Sequence, residues 1–136
     1  IYYGDFMTKI VIKSKSTGAV RAVIDKEHNP KTAESILNAL PIRGKASRWG
    51  DEIYFSIPVK LNEENSQEAV EIGDLGYWPS GNAFCIFFGR TPASTDDKPR
   101  AYSPVNIFGK VIDDPSVFKK VKEGEEIIVE LLEGDD

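Results

Sequence analysis

Gly81-Asn82-Ala83-Phe84-Cys85-Ile86-Phe87-Phe88 decides how the rest of this chain is read. The apolar run from Ala83 to Phe88 follows the turn material Pro79-Ser80-Gly81-Asn82 and stops at Gly89. It is too short for a helix and rich in aromatic residues, which predicts a strand covered on both faces. Just upstream, Val70 to Trp78 is strand material broken by Gly73 and Gly76, where a bulge or sharp bend is expected.

Further toward the N-terminus, Lys45–Trp49 and Glu52–Ile57 form a hairpin around Gly50-Asp51. In its second arm Ile53, Phe55 and Ile57 alternate with Glu52, Tyr54 and Ser56, the pattern of a half-buried strand with one wet face. Residues 62–67 are polar and read as a loop. Asn29-Pro30 opens a helix, with asparagine as the cap and proline where its missing N–H costs nothing. Ala33, Ile36, Leu37 and Leu40 give that helix one apolar face, and Pro41 ends it. Lys9–Lys13 and Ala19–Asp25 form an opening hairpin across a Ser/Thr/Gly turn.

Downstream, Gly89–Pro104 reads as a long loop with prolines at 92, 99 and 104, and loops of this length are usually functional. Val105–Ile112 is a strand. Asp114-Pro115 starts a second short helix that Gly124 stops, and Ile127–Leu132 is the last strand. About eight strands and two short helices without βα alternation predict a mainly β fold, a closed antiparallel barrel. We expect one domain over residues 7–134. Ile1–Phe6 read as leader residues ahead of a Met7-Thr8-Lys9 start, and Asp135-Asp136 as an acidic tail.

Composition narrows the function classes. With 17 basic against 22 acidic residues the net charge is −5, and the basic residues are dispersed, which argues against nucleic acid as a partner. No apolar run approaches the ~20 residues of a membrane helix. The lone Cys85 cannot make an internal disulfide, and no secretory signal pattern opens the chain, so a cytoplasmic location is expected. One histidine and one cysteine leave only adjacent aspartate pairs without ligand spacing, so neither a metal nor another cofactor is expected. His28, just ahead of a helix cap, reads as an exposed loop residue. Cys85 reads as a small buried hydrophobe. The sequence carries no signal for oligomeric state.

Three stretches in chain order resemble cyclophilins, the prolyl isomerases built on an eight-stranded barrel with two helices. They are Asn29-Pro30-Lys31-Thr32-Ala33-Glu34, Gly81-Asn82-Ala83-Phe84-Cys85-Ile86-Phe87, and Ile107-Phe108-Gly109-Lys110-Val111 with Phe118-Lys119-Lys120-Val121. A longer likeness is to small bacterial and archaeal cyclophilin-like proteins of unassigned function. It is carried by Trp49-Gly50-Asp51-Glu52-Ile53-Tyr54-Phe55 and Glu71-Ile72-Gly73-Asp74-Leu75-Gly76-Tyr77-Trp78-Pro79, and runs on to Thr91-Pro92.

The resemblance implies a surface pocket, and it places the family's arginine on Arg48, its pocket phenylalanine on Phe84 and its histidine position on Val105. The family's phenylalanine-histidine-arginine triplet has become Ala46-Ser47-Arg48, and its loop tryptophan has no counterpart. The first expectation is therefore a binding module for a small molecule or short peptide, its pocket formed by Trp49, Trp78 and the loop after Gly89, with Arg90 on that loop. The alternative is a divergent prolyl isomerase. There Arg48 would stabilise the twisted amide, and Tyr54, Phe55, Trp78 and Phe84 would seat the proline ring.

Overall fold

The computed structural model describes residues 7–132, so the expectations for the leader residues and the acidic tail lie outside the described residues. The strands are β1 (Met7–Ser14), β2 (Gly18–Asp25), β3 (Ile42–Lys45), β4 (Ser47–Arg48), β5 (Glu52–Ser56), β6 (Gln67–Ala69), β7 (Asp74–Trp78), β8 (Ala83–Phe87), β9 (Arg100–Val111) and β10 (Glu126–Leu131). One α-helix, α1 (Pro30–Ala39), follows β2, and a 3-10 helix at Pro115–Lys120 precedes β10. The mainly β class with two short helices is thus as the sequence implies.

The closed barrel is not. The strands pair in the order β3-β10-β1-β2-β9-β7-β8-β5-β4, with β6 added to β9, and the ladder is open because β3 and β4 remain its two edges. A single residue, Ala46, separates these edges in the chain. Its N–H and carbonyl pair with Glu125 and Gly124 (2.8 and 2.7 Å), so the backbone turns the corner without a rung between β3 and β4. The expected strand over 45–49 is split there, which is one source of ten strands where about eight were expected.

The apolar run that opened the reading explains the layering. Along β8, Phe84 and Ile86 point into the main core with Ile10, Ile12, Ile24, Ile53, Phe55 and Phe108, while Ala83, Cys85 and Phe87 point the other way. On that second side they join Val70, Ala101 and Val105 in a smaller apolar cluster. The strand is covered on both faces because β6 and the first half of β9 fold across the outside of the sheet. The rule of alternation then reassigns β5: its supposed wet face, carrying Glu52 and Tyr54, lies under this outer layer.

The outer layer hid in the sequence behind Pro104. Residues 100–104 are strand rather than the end of a loop. Opposite β6 the register slips, with Gln67 facing Val105 and Ala69 facing Arg100. Proline is tolerated in such a bulge because no ladder N–H is required of it. The remaining connection, 88–99, is organised by its own side chains. The Thr91 hydroxyl donates to the Arg100 carbonyl (2.6 Å), and the Ser94 hydroxyl accepts from Thr91 N–H (2.9 Å) and donates to the Lys98 carbonyl (2.7 Å).

Helix caps divide the same way. Asp114 caps its 3-10 helix as expected, accepting from Ser116 N–H at 3.0 Å. Asn29 does not cap α1. Its carboxamide oxygen accepts instead from Asn65 (3.1 Å) while its N–H donates to the Ile107 carbonyl (2.7 Å), and the N–H groups of the first turn are taken by Glu64, which accepts from Thr32 N–H at 2.9 Å and Lys31 N–H at 3.2 Å. The loop expected over 62–67 is thereby fixed to the helix.

Candidate functional site

The hairpin between β4 and β5 is a two-residue turn, closed by Trp49 N–H to the Glu52 carbonyl (2.9 Å) and Glu52 N–H to the Trp49 carbonyl (3.1 Å). Gly50 takes φ +61° at its first central position, which other residues resist. A Cβ there would also stand 2.8 Å from Pro92 and 3.0 Å from the Arg90 carbonyl. The turn is held against the 88–92 segment by Asp51 N–H to the Arg90 carbonyl (2.8 Å) and Phe88 N–H to the Asp51 carbonyl (2.9 Å). Trp49 and Glu52 are therefore fixed opposite one another.

Both face a cavity of about 240 Å³, lined also by Tyr54, Trp78, Ala101, Tyr102, Ser103 and Val105. Ala101, Val105 and Glu52 are buried and make its base. Tyr102 stands at the mouth, 74% exposed. The rings meet edge to face: Trp49 and Tyr102 at 5.9 Å, Trp78 and Tyr102 at 6.2 Å, and Tyr54 and Trp78 at 6.0 Å between centroids. Trp78 is set by its indole N–H, which donates to Ser103 Oγ at 2.6 Å. It is also set by Gly81, where a Cβ would lie 2.3 Å from the ring.

The base carries one acid in apolar surroundings. Glu52 is 6% exposed and belongs to no ion pair among the described residues. Burial pushes its carboxyl up to about 7, and its hydrogen bond with the Cys85 thiol holds it back only in part. The thiol has two acceptors in reach, the Glu52 carboxylate and, at 4.0 Å, the Ala83 carbonyl; the charged one is the stronger. Cys85 itself, fully buried beside that carboxylate, is held well above the usual thiol range, so it stays protonated.

Of the residues expected from sequence, the structure brings Trp49, Tyr54, Trp78 and Val105 together in this one cavity. Phe55 and Phe84 are elsewhere, stacked 5.1 Å apart inside the main core. Arg90 is exposed and outside the lining, and its carbonyl secures the hairpin turn. Arg48 also points away. Its guanidinium donates to the Gly50, Lys119 and Val121 carbonyls (2.7, 3.1 and 2.9 Å) and to Asp51 (3.1 Å), and lies 5.0 Å above the Phe88 ring. The basic residues of the neighbouring loop have partners too: Lys98 pairs with Glu71 and Arg100 with Glu68. Glu52, Ala101, Tyr102 and Ser103 were not foreseen. A signal for Tyr102 and Ser103 existed in the run Arg100–Ser103, whose alternation Pro104 cuts short.

Comparison with known proteins places the fold. A sequence model for the family described as Cyclophilin-like matches residues 8–130. A hypothetical protein from Archaeoglobus fulgidus, solved in solution, is 40% identical with a TM-score of 0.77, covering 93% of this chain and 96% of its own. The protein McbB, solved in complex with tryptophan, shares the fold at a TM-score of 0.73 and 17% identity. That alignment covers 93% of this chain and 46% of McbB, so the chain spans about half of that protein. No curated protein matches the sequence.

Proposed function

The chain belongs to the cyclophilin-like family, and on that premise we propose that it is a binding module whose aromatic cavity holds a small molecule or one side chain of a short peptide. The observation that carries this reading is the cavity itself: four aromatic side chains, Trp49, Tyr54, Trp78 and Tyr102, around a space of about 240 Å³. Concave, mostly apolar sites with a few placed polar groups are what small ligands occupy. Rings left partly open to water gain most from being covered.

The isomerase alternative requires Arg48 to donate to a bound X-Pro amide. Four of its N–H bonds serve backbone carbonyls and Asp51, and its guanidinium is outside the cavity lining. Of the four residues expected to seat the proline ring, Phe55 and Phe84 are in the core and only Tyr54 and Trp78 line the cavity. That arrangement favours the binding reading.

The test is an NMR titration of the labelled full chain with X-Pro peptides and a set of small aromatic and aliphatic compounds. Binding at the cavity shifts the Trp49 and Trp78 indole N–H signals and the backbone of 101–105. Exchange spectroscopy on peptide cis and trans signals separates binding from turnover. Accelerated exchange would restore the isomerase; the absence of any shift at the two indoles across the set would overturn the binding reading.

A further inference from the structure

We propose that the ligand of this cavity carries a positive charge on nitrogen, an organic ammonium group received by the four rings and the Glu52 carboxylate. The inference rests on the binding reading and narrows it to a class. Two independent observations converge.

The first is the ring set. The faces of tryptophan and tyrosine are electronegative, and several of them around one space attract a cation, most strongly where water is displaced. Here Trp49, Tyr54, Trp78 and Tyr102 line one cavity in mutual edge-to-face arrangement. A neutral apolar ligand is served by any hydrophobic lining, and the core of this protein uses Ile, Val and Phe for that purpose. The cavity wall uses tryptophan and tyrosine instead.

The second is the acid. Buried carboxylates are normally paired. Asp51, Glu68 and Glu71 in the neighbouring segments each have a cationic partner. Glu52, more buried than any of them, has none among the described residues and borders the cavity. Its hydrogen-bond partner is the neutral thiol of Cys85 on β8, and the other titratable residues lining the cavity are Tyr54 on its own strand and Tyr102 on β9; none brings a positive charge. An ammonium group entering between the rings supplies the missing countercharge in a poorly hydrated place, where the attraction is weakly screened. Conversely, a carboxylate-bearing ligand approaching headfirst meets repulsion.

Choline is a suitable probe, and 3,3-dimethylbutan-1-ol is its neutral counterpart of matching shape. Both tryptophans of the chain line the cavity, so tryptophan fluorescence, excited selectively over tyrosine, reports from this site. Titrating the full chain at about pH 8, where Glu52 is ionised, we expect choline to bind at least about tenfold more tightly than the alcohol. Glu52→Gln should reduce choline affinity about tenfold and leave the alcohol within about twofold. Tyr102→Leu keeps the apolar surface at an exposed position and should erode the same preference by about threefold. This second variant serves if Glu52→Gln fails to fold. Equal binding of the two probes, or a preference untouched by both variants, overturns the inference and leaves the binding module standing. Binding of neither here, together with no indole shift in the NMR titration, removes both.

Discussion

Replacing Glu52 by glutamine should make the protein more stable in alkaline solution and leave it little changed in mild acid. In the folded protein the carboxyl is raised from 4.5 to about 7 by burial. The native state therefore holds this proton more tightly than the unfolded chain does. The stabilisation is complete below about pH 4.5, drains away as pH rises, and is gone once pH has passed the folded value near 7. At ~1.36 kcal/mol per pH unit the full loss is about 3 kcal/mol, of which about 2.5 kcal/mol falls between about pH 5 and about pH 8. Glutamine accepts the Cys85 hydrogen bond through its carbonyl and does not ionise. Any fixed cost of the amide shifts the variant by the same amount at every pH. Urea unfolding of both proteins at several pH values gives the difference in stability, and that difference should move in favour of the variant by about 2.5 kcal/mol over this range. Asp74, also raised by burial, is present in both proteins and cancels. Glu64, Glu125 and Asp113, which hydrogen bonds hold low, act on the acid side of the window. A difference that stays flat from pH 5 to pH 8 would refute the placement of an uncompensated acid at the base of the cavity.

Gly81→Ala should push the Trp78 ring off its seat, because the new Cβ overlaps the ring at 2.3 Å. We expect a cost of about 1–3 kcal/mol in urea unfolding together with a shifted tryptophan emission maximum; an unchanged spectrum would contradict the packing described. Arg48→Ala should lower stability by about 2–3 kcal/mol, since it strips partners from three backbone carbonyls and from Asp51. A stable variant that loses only prolyl isomerase turnover would instead give Arg48 the catalytic part. Glu64→Ala should cost about 1–2 kcal/mol at neutral pH through the first turn of α1. Burial alone would raise the Glu64 carboxyl, but hydrogen bonds from Thr32 and Lys31 outweigh it and leave it below the usual range. The deficit of the variant should accordingly fade as pH falls through that lowered value, as followed by thermal melts.

What the sequence disclosed follows from which interactions are local. The Gly50-Asp51 hairpin, the Asp114 cap and the two-sided burial of Ala83–Phe87 are each written within a few residues, and each stands in the structure. The gathering of Trp49, Tyr54 and Trp78 follows from two neighbouring ladders: Tyr54 on β5 and Trp78 on β7 flank the same strand β8, and Trp49 lies on the turn before β5. What stayed hidden depends on a second layer. Alternation along β5 shows that Glu52 and Tyr54 share a face but not what lies over that face, and the covering strand β9 is masked by Pro104. Aromatic type for Phe55 and the family resemblance for Phe84 pointed to the pocket, but both residues stand on the faces of β5 and β8 that meet the core. The open ladder turns on Ala46, whose backbone pairs with the turn at 124–125 rather than with either neighbouring edge.

The cap of α1 has a consequence for the order in which the molecule assembles. A helix closed by its own preceding residue can form as soon as that short segment is made, but α1 borrows its closing carboxylate from Glu64, across the entire β3–β5 region. An isolated ten-residue helix is already marginal in water. Without Glu64 the Lys31 and Thr32 N–H groups of the first turn lose their acceptor, and Asn29, the natural local candidate, already accepts from Asn65 through its carboxamide oxygen and donates to β9. Nucleation by α1 alone is thus disfavoured, and the helix should become protected from amide exchange only together with the 62–65 segment and β9, late and as one unit, with the sheet preceding it.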